Sequence, residues 1–173
     1  MNLKKNFKLI STDAKVVLTS ISKNDIENIR IWKNEHRNSF FYNKIITPKE
    51  QAEWFENYLK RENDFIFIIS FDNKDIGCIA FREIEGMIDI YNVILGNKKF
   101  GGKGIMSNAN RLMCSLIMDN YSSNITVKVL KTNPAVKWYL KNNFYEIGRG
   151  DTYLLLKLDN ASFKKENYRL VIQ

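Results

Sequence analysis

Two prolines, eight glycines, two cysteines and one histidine are all that this 173-residue chain holds of the residues that build linkers, disulfides and metal sites. So little proline and glycine excludes low-complexity tails and long flexible linkers. Cys78 and Cys114 stand alone, outside any CxxC pair and apart from other ligand types. They read as small buried hydrophobes in a reducing compartment, and no metal site is expected. Long apolar runs are also missing: FIFII at 65–69 is far too short to span a bilayer. The opening MNLKKNFKLISTDAK has lysines but no apolar stretch of the signal-peptide kind. These absences predict one cytoplasmic domain with no membrane partner.

What the chain has in excess is positive charge, 27 Lys and Arg against 19 Asp and Glu, for a net +8. An anionic partner is therefore favoured over a cationic one. The lysines are scattered rather than massed, which weighs against specific nucleic-acid binding.

Periodicity and turn chemistry then order the elements. VVLTSIS at 16–22 alternates like a strand, and a helix follows through Ile26, Ile29 and Trp32. Thr47-Pro48-Lys49-Glu50 is a helix start, with a Thr cap, Pro at the first helical position and Glu three residues after the cap. Runs at 64–71, 76–84 and 87–95 form an antiparallel meander, joined by DNKD and EG turns. A glycine-rich stretch precedes a helix from Ile105, then a strand at 125–130, a helix at 133–144 and a strand at 152–158. This order predicts an α+β fold, a mixed and mostly antiparallel sheet with helices on both faces. The domain is expected at 16–158, between an N-terminal extension (1–15) and a C-terminal tail (159–173).

The glycine stretch, KFGGKGIM at 99–106, places three of the eight glycines where a strand runs into a helix. Such a turn aims unpaired N–H groups and the positive helix end at one point, and glycines keep side chains clear of an anion there. A plain ligand-free turn fits the spacing equally well. Lys99-Phe100-Gly101-Gly102-Lys103-Gly104, followed by Ile105, resembles the Arg/Gln-x-x-Gly-x-Gly/Ala signature of the GNAT superfamily of N-acetyltransferases. Downstream, AVKWYLKNNF at 135–144 is similar to that family's Ala-Ile-x-Phe/Leu-Tyr-x-Lys-x-Gly-Phe, with Asn143 in place of Gly.

The resemblance implies acetyl-coenzyme A as co-substrate. Its pyrophosphate would rest on the N–H groups of Lys99, Phe100, Gly101, Gly102, Lys103, Gly104 and Ile105. Its pantetheine arm would pair with the strand carrying Val93, Ile94 and Leu95, with Asn133 and Trp138 beside it. Backbone N–H near Val93 and Ile94 would hold the oxyanion, a contact worth ~10²–10³ in rate. Tyr139 matches the position that protonates the departing thiolate. Asp89 is the candidate base, with Glu83 an alternative, and either carboxylate also fits a plain solvated strand surface.

Ile31-Trp32-Lys33-Asn34 resembles the Trp-Arg-Asn stretch of amino-sugar nucleotide N-acetyltransferases from nonulosonic (pseudaminic or legionaminic) acid pathways. That implies transfer to the 4-amino group of a nucleotide-linked deoxy amino sugar, for cell-surface polysaccharide synthesis. Trp32, Lys33, Asn34 and Arg37, with Phe41, Tyr42, Trp54 and Tyr91, are then the expected acceptor residues, some of the aromatics serving the core instead. The charge argues against polycationic aminoglycosides. Acetylation of a protein N-terminus is the runner-up, and a non-catalytic basic module on the same fold is the alternative of another class. A homodimer is compatible with all three.

Overall fold

The computed structural model describes residues 5–173. Nine strands form one sheet in the order β7-β8-β6-β5-β4-β3-β2-β1-β9. They are β1 (Phe7–Ser11), β2 (Val16–Ser20), β3 (Asp64–Phe71), β4 (Lys74–Ile84), β5 (Met87–Leu95), β6 (Ile125–Leu130), β7 (Phe144–Arg149), β8 (Tyr153–Leu158) and β9 (Tyr168–Ile172). The helices are α1 (Ile26–Glu35), α2 (Pro48–Leu59), α3 (Ile105–Asn120) and α4 (Ala135–Lys141). Every strand pairing is antiparallel except β5 with β6. The chain has the expected mixed α+β architecture.

The central strands are apolar on both faces, because both are covered. On β3, Phe65, Phe67 and Ile69 pack with α3, while Ile66 and Ile68 pack with Ile29 of α1 and with Phe55 and Tyr58 of α2. Both meander turns are two-residue loops with left-handed backbone, Asp72 and Asn73 (φ 47° and 60°), then Glu85 and Gly86 (φ 51° and 78°). That is the twist-matched hairpin turn which Asn, Asp and Gly favour. The capping box on α2 forms: Glu50 N–H donates to Thr47 Oγ1 (3.2 Å), and Thr47 N–H donates to Glu50 Oε2 (2.7 Å).

The sheet extends into both flanks. β1, within the expected extension, pairs with β2, and β9, within the expected tail, closes the sheet against β1. A buried cluster ties this flank down, since Glu166 accepts from Ser11 Oγ and from Arg111 Nε (2.8 Å). The last helix is shorter than its pattern suggests. Asn143 takes a left-handed conformation (φ 66°) just past α4, and the chain turns at once into β7. Among the described residues, no helix is long and apolar enough to cross a membrane.

Candidate active site

The glycine turn is more structured than its sequence suggests. Residues 98–100 form a 3-10 turn that spends three N–H groups: Lys99 on Asn97 Oδ1 (3.2 Å), Phe100 on Asn97 O (3.1 Å) and Gly101 on Lys98 O (3.0 Å). The expected phosphate cradle therefore starts later. The first intrahelical bond of α3 runs from Asn108 N–H to Gly104 O (3.0 Å), which leaves the N–H groups of Ile105, Met106 and Ser107 unpaired by the helix. Gly102 (φ 72°) and Gly104 (φ 74°) hold left-handed backbone with open space around them, so any side chain there would be strained and would intrude on the cradle. A cavity of about 370 Å³ opens onto this turn, lined by Val93, Leu95, Gly102, Gly104, Ser107 and Trp138 among others. Trp138 Nε1 donates to Ser107 Oγ (3.0 Å), which fixes α4 against the first turn of α3.

A bulge on β5 gives this cavity its inner wall. Cys78 pairs with Ile94 and Ala80 with Tyr91, so Ile79 faces both Asn92 and Val93, and Asn92 sits at φ 47°. The extra residue reverses the face parity. Ile88 and Ile90 pack toward α3, but beyond the bulge Val93 and Leu95 do so instead, while Ile94 joins the α1/α2 core. The ladder to β6 spans Ile88, Asp89 and Ile90, and residues 91–95 run on without that partner. The splay leaves strand backbone free for an extended ligand arm.

A second cavity, about 180 Å³, fills the splay. It is lined by Tyr139 from α4, Tyr91, Asn92 and Val93 from β5, Lys128 from β6, and Phe41 and Tyr42 from the loop after α1. Tyr139 is 4% exposed, and its hydroxyl makes no hydrogen bond among the described residues. Burial pushes its phenol well above the ordinary value, with the Cys114 and Asp89 groups pushing the same way, so it stays protonated.

On the opposite face, α1 and α2 enclose about 430 Å³ between Ile29, Lys33, Tyr42, Gln51, Trp54, Asn57, Arg61 and Asn92. Lys33, Tyr42 and Asn92 line this cavity and the splay alike, and Val93 and Ala135 line the splay and the glycine cavity. The three form a chain of cavities crossing the sheet at the bulge. At one junction Lys33 Nζ donates to Asn92 Oδ1 (2.9 Å) and lies 5.4 Å from the Phe40 ring centre. Burial draws the Lys33 ammonium below the usual lysine range.

Residues 15–142 match the model of the acetyltransferase (GNAT) domain. The chain belongs to the GNAT acetyltransferase family. An uncharacterised protein of Methanocaldococcus jannaschii is 23% identical over 135 residues, covering 74% of this chain and 27% of the relative, so the chain spans about a quarter of that protein's length. Apo FdhC, a nucleotide-linked sugar GNAT, superposes with a TM-score of 0.74 at 20% identity, covering 94% of this chain and 93% of its own. RimL, a ribosomal-protein alpha-N-acetyltransferase solved with coenzyme A, gives 0.70 at 16% identity, covering 95% and 97%. These likenesses establish the fold.

The matched domain is an acetyltransferase domain, and structures of the same fold have been solved with coenzyme A or acetyl-coenzyme A bound. The residues present fit that ligand, through left-handed glycines, unpaired N–H groups at a helix start and an unpartnered strand segment. When bound, it supplies an activated acetyl thioester. Not every expected residue reaches the site. Lys99 faces a groove beside Gly96 and Asn97, and Lys103 lies 5.4 Å from the Phe100 ring centre. Asn133 is occupied, donating to Ser39 O (3.0 Å) and accepting from Ala135 N–H (2.8 Å), although it lines the splay.

The Trp32-Lys33-Asn34 run is divided by its helix, because successive residues are 100° apart. Of the three, only Lys33 lines the cavity between α1 and α2. Trp32 packs so closely on Gly96 that a β-carbon there would lie 2.2 Å from the indole, and Asn34 clamps Ile46 through two hydrogen bonds (2.8 and 2.9 Å). Arg37 is exposed in a 3-10 turn with its guanidinium turned back to Asn34 O. Asp89 lies outside all three cavities, gripped by Arg82 Nε and Nη2 (2.9 and 2.7 Å); burial raises its pKa while Arg82 pulls it down. Tyr91 donates its hydroxyl to Asp64. The cavity lining also includes Gln51, Asn57, Arg61 and Asn92, which no sequence motif marks, and helical spacing from Trp54 could have flagged only Gln51 and Asn57.

Proposed function

We propose that the protein is an acetyl-coenzyme A-dependent N-acetyltransferase whose acceptor is the amine of a nucleotide-linked deoxy amino sugar. The observation that carries this is the 430 Å³ cavity, a volume suited to one sugar ring with its first substituents. Trp54, stacked on Tyr58 at 5.7 Å between ring centres, offers a flat apolar wall, and amides and charged groups surround it. The cavity mixes Glu50 and Glu53 with Lys33 and Arg61, unlike the acidic bowl a polycation would need. Similarity to a nucleotide-linked sugar GNAT supports the same reading.

In this reading the sugar enters from the α1/α2 face and its amine reaches the splay at Lys33 and Asn92. Tyr139 gives its proton to the departing sulfur. Arg61, which lines the cavity and is paired with Asp64 (3.0 Å), is the cation for the diphosphate. Of the cavity-lining carboxylates, Glu50 is engaged in the helix cap and Glu53 is exposed to solvent beside Lys49 (3.9 Å). In this reading solvent takes the amine's proton. Arg61→Gln should raise the KM for the nucleotide sugar about tenfold while leaving that for the free amino sugar unchanged. Equal effects on both would remove the diphosphate assignment. Tight duplex binding at physiological salt without any acetyl transfer would favour the basic-module alternative.

A further inference from the structure

The charge lining of the splay is one-sided. Lys33 from α1 and Lys128 from β6 line it, and no carboxylate does. Its other titratable groups are the phenols of Tyr42, Tyr91 and Tyr139, and burial keeps the last two protonated. Asp89 and Asp64, the carboxylates that act on Tyr139 and Tyr91, lie outside the cavity and are engaged, Asp89 by Arg82 and Asp64 by Arg61. Glu50 and Glu53 line only the cavity between α1 and α2. Lys33 itself is partly buried, donates to Asn92 Oδ1 (2.9 Å) and forms no salt bridge among the described residues. From β4 it feels Arg82, which Asp89 neutralises, and the Cys78 thiol, which burial pushes up to about 12 and so keeps neutral. An ammonium carries donors and no acceptor, so the Lys33–Asn92 bond leaves its positive charge uncompensated.

We propose that Lys33 makes the splay select an unprotonated amine, its uncompensated charge repelling an ammonium there and leaving the free base to meet the thioester. The inference rests on the reading of this junction as the place of the acceptor amine, and holds whether or not that amine belongs to a sugar. A like charge close by disfavours the charged form of a titratable group, so the amine gives its extra proton to water as it binds. Its lone pair then forms the bond to the thioester carbonyl carbon, and the C–S bond breaks. The nitrogen loses one further proton to solvent, the sulfur leaves with the proton of Tyr139, and solvent restores that proton. The charge on Lys33 is present on the acid side, where the amine would otherwise be an ammonium, and is lost only as pH rises through the lysine's own lowered pKa. A fixed cation thereby does part of what a carboxylate base would do, without accepting a proton.

The test is the pH dependence of kcat, which reports groups in the enzyme–substrate complex, set against titration of the free amine in solution. The full chain with acetyl-coenzyme A is offered dTDP- and UDP-linked 4-amino-4-deoxyhexoses and a peptide with a free N-terminus. Whichever is acetylated fastest becomes the probe. The acid limb of kcat should lie about one pH unit below the pKa of the free amine. Lys33→Met should return the limb to that pKa, so that kcat falls about tenfold on the acid side while the alkaline plateau changes less than about threefold. Lys33→Arg keeps the charge and should keep the limb in place. A limb that does not move in Lys33→Met overturns the proposal, and an equal loss at every pH would make Lys33 a prop for the Asn92 bulge. Should Lys33→Met fold poorly, Lys128→Met reads the same field from β6 and should move the limb the same way by less, because Lys128 is exposed. If the peptide is fastest, the carbohydrate reading fails on that ranking alone, and the limb still decides the role of Lys33. Transfer to none of these amines overturns both.

Discussion

Tyr139 and the Arg111–Glu166 pair are both buried polar features, and their surroundings give them different work. Tyr139 has apolar neighbours, with Trp138 and Phe144 packed edge-on at 4.9 and 5.3 Å, and its hydroxyl has no partner among the described residues. Tyr139→Phe removes one proton donor and keeps the packing, so kcat should fall ~10- to 10³-fold with acetyl-coenzyme A affinity unchanged by calorimetry. Because burial raises the phenol's pKa, the acid form persists where free tyrosine ionises. The wild-type kcat profile should then show no loss assignable to Tyr139 up to about pH 10. Glu166 is different, for its carboxylate is 1% exposed and held by Arg111, itself 44% exposed. Removing the arginine strands a buried charge, whereas neutralising the glutamate leaves a cation that water can reach. Arg111→Ala should lower stability by about 3 kcal/mol, some 6–12 °C in melting temperature, and Glu166→Gln by clearly less. The reverse order would mean that the cluster stabilises through packing alone.

Among the elements, those with local signals could be read from the chain. The β3–β5 meander announces itself by apolar runs and two-residue turns, α2 by its capping box, and the start of α3 by its glycines. β7 could not be read in this way, since FYEIGR buries only Phe144 fully and forms an edge of the sheet. The short flanking strands β1 and β9 owe their place to pairing with distant segments, which no local pattern reports. The same limit applied to the site. KFGGKGIM could be read as an anion cradle, but the 3-10 turn that moves it three residues onward depends on the Asn97 cap. Trp32-Lys33-Asn34 looked like one binding unit and is split by helical geometry, whereas Gln51 was marked only by a polar letter in an apolar stripe. At this scale Gly104→Val, which places a β-branched side chain at φ 74°, should weaken acetyl-coenzyme A binding at least tenfold by calorimetry while circular dichroism stays unchanged. Undiminished affinity would move the cofactor elsewhere.

At the scale of the whole molecule the sheet opens at one point. A single bulge at Asn92 reverses the face parity of β5 as the strand parts from β6, so a cavity built on the α3 side meets one built on the α1/α2 side. In the proposed reaction acetyl donor and amine approach from opposite faces without sharing a subsite, so donor and acceptor KM values should respond to different residues. The most direct measurement is a competition: dTDP- and UDP-linked 4-amino-4-deoxyhexoses, a peptide with a free N-terminus and kanamycin are incubated together with limiting acetyl-coenzyme A and the full chain, and products are weighed by mass spectrometry. The account predicts that an acetyl group appears first on a nucleotide-linked amino sugar, with Tyr139→Phe slowing all products alike. Acetyl transfer predominantly to the peptide N-terminus or to kanamycin would contradict it.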